Sequence, residues 1–231
     1  MGFPFLKKNT TSNPRGAAAH TVTLPLGGQA PDVARTGKID LAKGEGISLK
    51  KTPRIVARCT WPTKTDYDVL ALVAYADGRV EHVATFGTQD GPRASAATAD
   101  GAVRHLGDVR RGDGQVGSET IEIALNDRIA AIIPVVYSAQ SNGTGSFRQY
   151  QVSMEIDNGE DSVVSVDARN ALDDPNVYSC VPGVILNGKN GVRVEAVELY
   201  SARNSESRPG VQMAADSLTV TMDQGPVNVY K

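Results

Sequence analysis

The chain has 231 residues, which suits one large domain or one domain with an appendage and leaves enough length to bury a substantial core. Hydrophobic residues make up 40% and aromatic residues 5%, so we expect a core of valine, isoleucine, leucine and alanine. Twenty-four basic and 26 acidic residues give a net charge of −2, which argues against a nucleic-acid partner.

The first 36 residues predict a flexible N-terminal arm, because they combine Asn, Thr, Pro, Gly, Ala and Lys without hydrophobic periodicity. The arm begins with an apolar and basic patch, Phe3-Pro4-Phe5-Leu6-Lys7-Lys8. This patch suits peripheral contact with a membrane surface or a partner protein, although an ordinary disordered start is the simpler interpretation. No apolar run of signal-peptide type or of membrane-spanning length is apparent, so we expect a cytoplasmic protein without a transmembrane segment.

From residue 37 onward, short β-like runs alternate with Gly and Asp turns. Residues 69–75 are apolar on both faces, which predicts a central strand, and Asp77-Gly78 then predicts a hairpin turn. The apolar run 129–137 is interrupted by Pro134, which favours a bulge or an edge position there.

The second half of the chain continues this pattern. Residues 150–156 alternate apolar and polar side chains, as in a half-buried strand. Residues 181–186 and 192–199 predict a second hairpin, with a β-bulge near Ala196 where the alternation changes phase. Many short strands with frequent turn signals predict an all-β fold, an antiparallel β-sandwich over residues 37–231.

The segment from His105 to Glu119 is rich in Gly and acidic residues and stands directly before an apolar run. Asp108, Asp113 and Glu119 supply carboxylates, which calcium prefers as ligands. Asp108 and Glu119 have the spacing of an EF-hand loop, but the interior does not fit that template and the flanks predict strands. The segment alone is therefore either a metal-binding loop or a solvated turn.

A second acidic pair, Asp66 and Asp68, opens the apolar run 69–75. In an extended segment, residues two apart point to the same side, so these carboxylates repel each other. A cation between them would turn that repulsion into a stabilising interaction. The alternative is an acidic strand start that faces water.

The chain shows no motif of nucleophilic or metal-dependent catalysis, and no enzymatic activity is expected. Of its three histidines, His105 is better explained as a residue that orients the acidic loop than as a general base. Cys59 and Cys180 stand in apolar contexts, so we expect buried free thiols and not a disulfide or a zinc site.

The order of these segments resembles the TerD family of bacterial tellurium-resistance and general-stress proteins. The matching segments are Lys43-Gly44-Glu45-Gly46-Ile47-Ser48-Leu49, Trp61 with Thr65-Asp66-Tyr67-Asp68, Ala99-Asp100-Gly101-Ala102-Val103, His105-Leu106-Gly107-Asp108, Gly112-Asp113-Gly114 through Glu119, and Met222-Asp223-Gln224-Gly225-Pro226. The resemblance covers residues 37–231, and its most specific part is the stretch from His105 to Glu119.

The resemblance implies a β-sandwich of TerD type that binds Ca²⁺ and acts without catalysis as a binding or scaffolding module in a stress response. The implied metal ligands are Asp66, Asp68, Asp108, Asp113 and Glu119, and the implied setting is a membrane-associated stress complex. We expect a protein partner, either a member of such a complex or a second copy of the chain. The chain departs from the family pattern at Leu106, Gln115 and Ser118. Lost ligand charge lowers calcium affinity, so fewer or weaker sites are expected than in the family.

Two other functions remain open at this level. The chain could be a structural or assembly protein that uses its N-terminal arm and keeps vestigial calcium sites. It could also be an enzyme of an undetected type that handles a small molecule or oxyanion, for which His105 would be the residue to test.

Overall fold

A computed structural model of the protein describes residues 20–27, 35–62, 65–108, 116–138, 146–168, 171 and 173–229. The strands in these ranges are β1 (Thr21–Pro25), β2 (Gly37–Leu41), β3 (Gly46–Leu49), β4 (Ile55–Trp61), β5 (Asp68–Tyr75), β6 (Val80–Val83), β7 (Val103–Asp108), β8 (Gly117–Ile123), β9 (Ile129–Tyr137), β10 (Ser153–Asp157), β11 (Ser162–Asp167), β12 (Ser179–Asn187), β13 (Val192–Tyr200), β14 (Gly210–Met213) and β15 (Ser217–Thr221). No helix long and apolar enough to cross a membrane occurs in these ranges.

The strands form three sheets that stack in layers. The front sheet has the order β2-β11-β10-β4-β8-β7, the central sheet β3-β13-β12-β9-β5-β6, and the back sheet β1-β15-β14. One apolar core lies between the front and central sheets, and a second lies between the central and back sheets. The predicted all-β sandwich is confirmed, and a third sheet covers its far side.

Strand β5 shows why this chain needs three layers. Its side chains alternate between the two cores and are all fully buried after Asp68. Those facing the front sheet are Val69, Ala71 and Val73, and those facing the back sheet are Leu70, Leu72 and Ala74. The central strand predicted from this apolar run is therefore confirmed, because a strand without a polar face must be covered on both sides.

Two predicted turn features are also confirmed. β5 and β6 pair as an antiparallel hairpin whose turn contains Gly78 at φ +87°, a conformation that glycine adopts without strain. In the hairpin of β12 and β13, Val181 pairs with Leu199 but Gly183 pairs with Ala196, so β13 holds one extra residue. The β-bulge predicted near Ala196 is therefore present, immediately after that residue.

Pro134 occupies the interior of the central sheet, not an edge. β9 lies between β12 and β5, and Pro134 pairs in register with Ala71 of β5. On the other side, regular pairing with β12 is broken between Cys180 and Ile185. Proline has no N–H to donate, so the sheet places it where the ladder is interrupted. Of the two predicted alternatives, the bulge is confirmed.

Part of the predicted N-terminal arm is a strand, which corrects the boundary set at residue 36. β1 pairs antiparallel with β15 over its whole length and places Leu24 in the second core. Residues 1–19 and 28–34 of the predicted arm lie outside the described residues. The short alternation in residues 21–25 is too weak a local signal, and its partner stands about 200 residues later in the chain.

One strand pair departs from the predicted antiparallel arrangement. β2 pairs with β11 in parallel, whereas the other strand pairs of the described chain are antiparallel. The predicted burial of the two cysteines is confirmed, since Cys59 and Cys180 are free thiols with no exposed surface. Burial raises the pKa of both thiols well above its usual value, so both stay protonated at neutral pH.

A buried arginine anchors the connection that leads into the back sheet. Arg208 is 1% exposed and donates from Nε to Asn228 Oδ1 at 2.7 Å and from Nη2 to the Phe86 carbonyl at 2.9 Å. Its Nη1 lies 3.1 Å from His82 Nδ1, which must accept because a guanidinium only donates. Burial lowers the pKa of Arg208 to about 10. Burial, together with the charge of Arg208, lowers the pKa of His82 to about 4.

We expect His82 to make stability depend on pH. Its folded-state pKa of about 4 lies below its ordinary value of 6.5, so the unfolded chain takes up the proton first as the pH falls. The contribution of His82 is complete above about pH 6.5 and is lost as the pH falls through 4. After allowance for its partial exposure, the loss should be about 1 to 2 kcal/mol.

Urea unfolding of the wild type and of His82→Asn between pH 4 and pH 7 measures this contribution. The asparagine can accept the Arg208 hydrogen bond but does not titrate, so the difference in free energy of unfolding between the two proteins should change across the interval. A constant difference would contradict the assignment.

Candidate metal centre

Glu119 connects the front and central sheets through a buried carboxylate. It lies on β8 of the front sheet and is 3% exposed. Its Oε2 accepts a hydrogen bond from the main-chain N–H of Val69 on β5, at 2.5 Å, and lies 3.1 Å from His105 Nε2 on β7. A buried carboxylate needs such donors, because burial without them strongly disfavours the charged form. Glu119 therefore fixes the start of β5 against β7 and β8.

The hydrogen bonds of His105 define its tautomer. Its Nδ1 accepts from the main-chain N–H of Gly107 at 2.9 Å, so the proton of a neutral ring is on Nε2 and is donated to Glu119. The side chain has no exposed surface. Both ring nitrogens are thus used in hydrogen bonds within the fold. This geometry suits the orienting role expected for His105 better than the role of a general base.

A β-bulge brings Asp108 opposite Glu119. His105 pairs with Ile121, but Asp108 pairs with Glu119, so β7 holds one extra residue in this interval. Gly107 provides the required turn with φ +88°, a value that favours glycine. The Asp108 side chain and residues 109–115, which include Asp113, lie outside the described residues.

The second acidic segment reaches the same corner from the central sheet. Asp66 is exposed, Tyr67 is buried, and Asp68 is half-buried as the first residue of β5. The Tyr67 ring packs against Trp61 and Phe147, with centroid distances of 5.6 and 5.4 Å. The alternation agrees with the prediction that the two aspartates share a side while the residue between them enters the core.

Trp61 holds the two acidic segments close together. Its indole Nε1 donates to the Thr65 carbonyl at 3.2 Å, just before Asp66. Gly117, at the start of β8, pairs in register with Trp61, and a Cβ at position 117 would lie 2.3 Å from Trp61 Nε1. Only a residue without a side chain fits there. The sequence marked Trp61 as a family feature but gave no sign that Gly117 packs against it.

The structure therefore brings four of the five predicted ligand positions to one end of the sandwich, and the fifth, Asp113, lies outside the described residues. Asp108 and Glu119 are opposite each other, and the carboxylate of Glu119 binds the amide that directly follows Asp68. Asp66 precedes this contact on an exposed segment. Among the described side chains, no group of three or more His, Cys, Asp or Glu residues is close enough to hold a metal ion. A site at this corner would need oxygen ligands from residues 108–115 to complete it.

The comparisons with known proteins give no functional assignment. No family model matches the chain, and no curated protein matches it. Among solved structures, the chain is similar to the crystal structure of SAV2460, a protein of unknown function, with 17% sequence identity and a TM-score of 0.48. The similarity covers 68% of this chain and 92% of that one. The resemblance to the TerD family stays a prediction.

We expect Glu119→Gln to destabilise the fold in the absence of metal. The substitution removes the negative charge that two N–H donors share in a buried site, and the expected loss is about 2 to 3 kcal/mol. Glu122→Gln is the matched control on the same strand. Glu122 pairs with Arg54 at 2.5 Å and with Arg104 at 3.5 Å near the surface, so its replacement should cost about 0.5 kcal/mol.

Urea unfolding of both variants in the presence of a chelator measures the two losses. Equal losses for the two variants would show that the Val69 and His105 contacts do not carry the expected weight.

Proposed function

We propose that this protein is a calcium-binding, non-catalytic protein of the tellurium-resistance type, which acts as a binding or scaffolding module in a bacterial stress response in the cytoplasm. The observation that supports this proposal is the contact of the Glu119 carboxylate with the Val69 amide. This contact joins the two acidic segments that stand about 50 residues apart in the chain, at positions where the sequence predicted a shared site.

The proposed mechanism is electrostatic. Asp66, Asp68, Asp108 and Asp113 would carry negative charge on one rim, and without a cation they would repel one another. Carboxylates and carbonyl oxygens are the ligands that Ca²⁺ prefers, and the Gly-rich stretch before β8 can turn such oxygens inward. A bound ion would supply the positive charge that links the two segments.

Glu119, besides being one of the predicted ligands, supports the site in this proposal. Its Oε2 already holds the Val69 amide and the His105 ring, so it braces the corner on which the other carboxylates stand. The brace explains how a site divided between the front and central sheets keeps a defined geometry. Removing it should weaken calcium binding even though part of its hydrogen-bonding capacity is used within the protein.

Calcium binding would also be coupled to stability. An ion that binds the folded state and not the unfolded chain stabilises the fold by about 2.7 kcal/mol at a hundred times its dissociation constant. The same ion would fix one surface at the corner of β5, β7 and β8 for a protein partner. Calcium would then control partner binding through the order of that surface and not through catalysis.

We expect calorimetric titration of the metal-stripped full chain with Ca²⁺ to show binding that Asp68→Asn and Asp108→Asn each weaken at least about tenfold, because each removes one unit of ligand charge. Asp127→Asn is the matched control. Asp127 follows the opposite end of β8, and its only described ion pair is a 3.8 Å contact with Lys51.

Absence of calcium binding to the wild type would refute the proposal. Equal affinity in all four proteins would show that calcium binds elsewhere and would remove these residues from the site.

A further inference from the structure

Strand β2 forms one edge of the front sheet, at the opposite edge from β7 and the candidate metal centre. It pairs with β11 on one side, and among the described residues no strand pairs with its other side. An edge strand with open N–H and C=O groups is a ready partner for another strand. Pairing at this edge would not require calcium, because the acidic segments lie at the other edge.

The direction of the main-chain groups of β2 follows from one hydrogen bond. Gly37 donates its N–H to the Asp161 carbonyl at 2.7 Å, so its main-chain groups point towards β11. The direction alternates along a strand, and Ile39 and Leu41 therefore also point theirs towards β11. Lys38 and Asp40 consequently direct their N–H and C=O groups away from β11, towards the unpaired side of the strand.

The side chains of β2 divide in the same alternating manner. Ile39 and Leu41 are half-buried and pack against the first core, whereas Lys38 and Asp40 are exposed on the opposite face. Neither Lys38 nor Asp40 forms a hydrogen bond or an ion pair with another side chain of the described chain. The two residues whose main-chain groups point away from β11 thus carry one positive and one negative side chain, two positions apart.

We propose that β2 pairs antiparallel with β2 of a second copy of this chain, about a two-fold axis at Ile39. In this register Lys38 of each copy is opposite Asp40 of the other. These are the residues whose main-chain groups point outward, so both pairs are hydrogen-bonded pairs and supply four main-chain hydrogen bonds. The two Ile39 side chains meet at the axis on the core-facing side.

The charges select this register over its neighbours. A shift by two residues places Lys38 opposite Lys38 or Asp40 opposite Asp40, and like charges directly opposite each other are destabilising. A shift by one residue places main-chain groups that point away from β11 opposite main-chain groups that point towards β11, so the hydrogen bonds between the two copies cannot form. Charges on an edge strand usually prevent pairing. Here their alternation makes the strand complementary to itself in a single arrangement.

The size of the contact determines what should be measured. A five-residue strand pair forms a small interface, so the dimer should be weak and concentration-dependent. Sedimentation velocity of the full chain with chelator present, over the micromolar to millimolar range, should show a monomer–dimer equilibrium. Added salt should weaken it, because the ion pairs are exposed.

Charge reversal provides the specific test. Lys38→Asp and Asp40→Lys each place two pairs of like charges across the axis and should weaken dimerisation about tenfold or more. An equimolar mixture of the two variants should restore dimerisation, since one copy then carries two acidic and the other two basic residues. The double variant Lys38→Asp/Asp40→Lys should also restore it. Lys189→Asp, in the exposed turn between β12 and β13, is the charge-matched control and should behave as the wild type.

Circular dichroism should show that every variant keeps the wild-type β-sheet spectrum, because the substitutions are at exposed positions. A wild type that stays monomeric throughout the concentration range would overturn the proposal. Dimerisation that neither reversal weakens, or that the mixture fails to restore, would overturn it as well.

Discussion

The central sheet has no face towards water, and the rest of the structure depends on this constraint. β5 and β9 carry apolar side chains in both directions, so each face must be covered by another sheet. The front sheet covers one face and the back sheet the other. Because both faces of the central sheet are used for packing, polar and charged side chains lie on the outer face of the front sheet, at strand ends and at free edges. The two proposed sites lie at such a strand end and at such an edge.

The corner at Glu119 shows how a charge is accommodated under this constraint. A carboxylate buried between two sheets is stable only with donors close by, and the Val69 amide and the His105 ring supply them. The donors come from two different sheets, so the same interaction that stabilises the charge also fixes the relative position of β5, β7 and β8. A cation site built on this corner would have a base fixed by these hydrogen bonds.

The two proposed binding regions are at opposite edges of the front sheet. The metal centre would be at the β7 and β8 side, and the self-association edge is β2. Three strands, β11, β10 and β4, lie between β2 and β8, so each region can be altered without direct contact with the other. A dimer formed through β2 would leave both acidic corners facing outward at the two ends of one continuous sheet, which is a suitable arrangement for a scaffold that presents two equivalent surfaces.

The sequence by itself determined the features that depend on neighbouring residues: the all-β class, the two-sided burial of residues 69–75, the Asp77-Gly78 turn and the bulge after Ala196. These follow from side-chain alternation and turn chemistry, which are local properties of the chain. Only the tertiary structure decided which strands became neighbours. It placed residues 21–25 beside β15, set β2 parallel to β11, and buried Arg208 against His82. Such pairings join residues far apart in the chain, and a period of two residues specifies the face of a strand without specifying its partner.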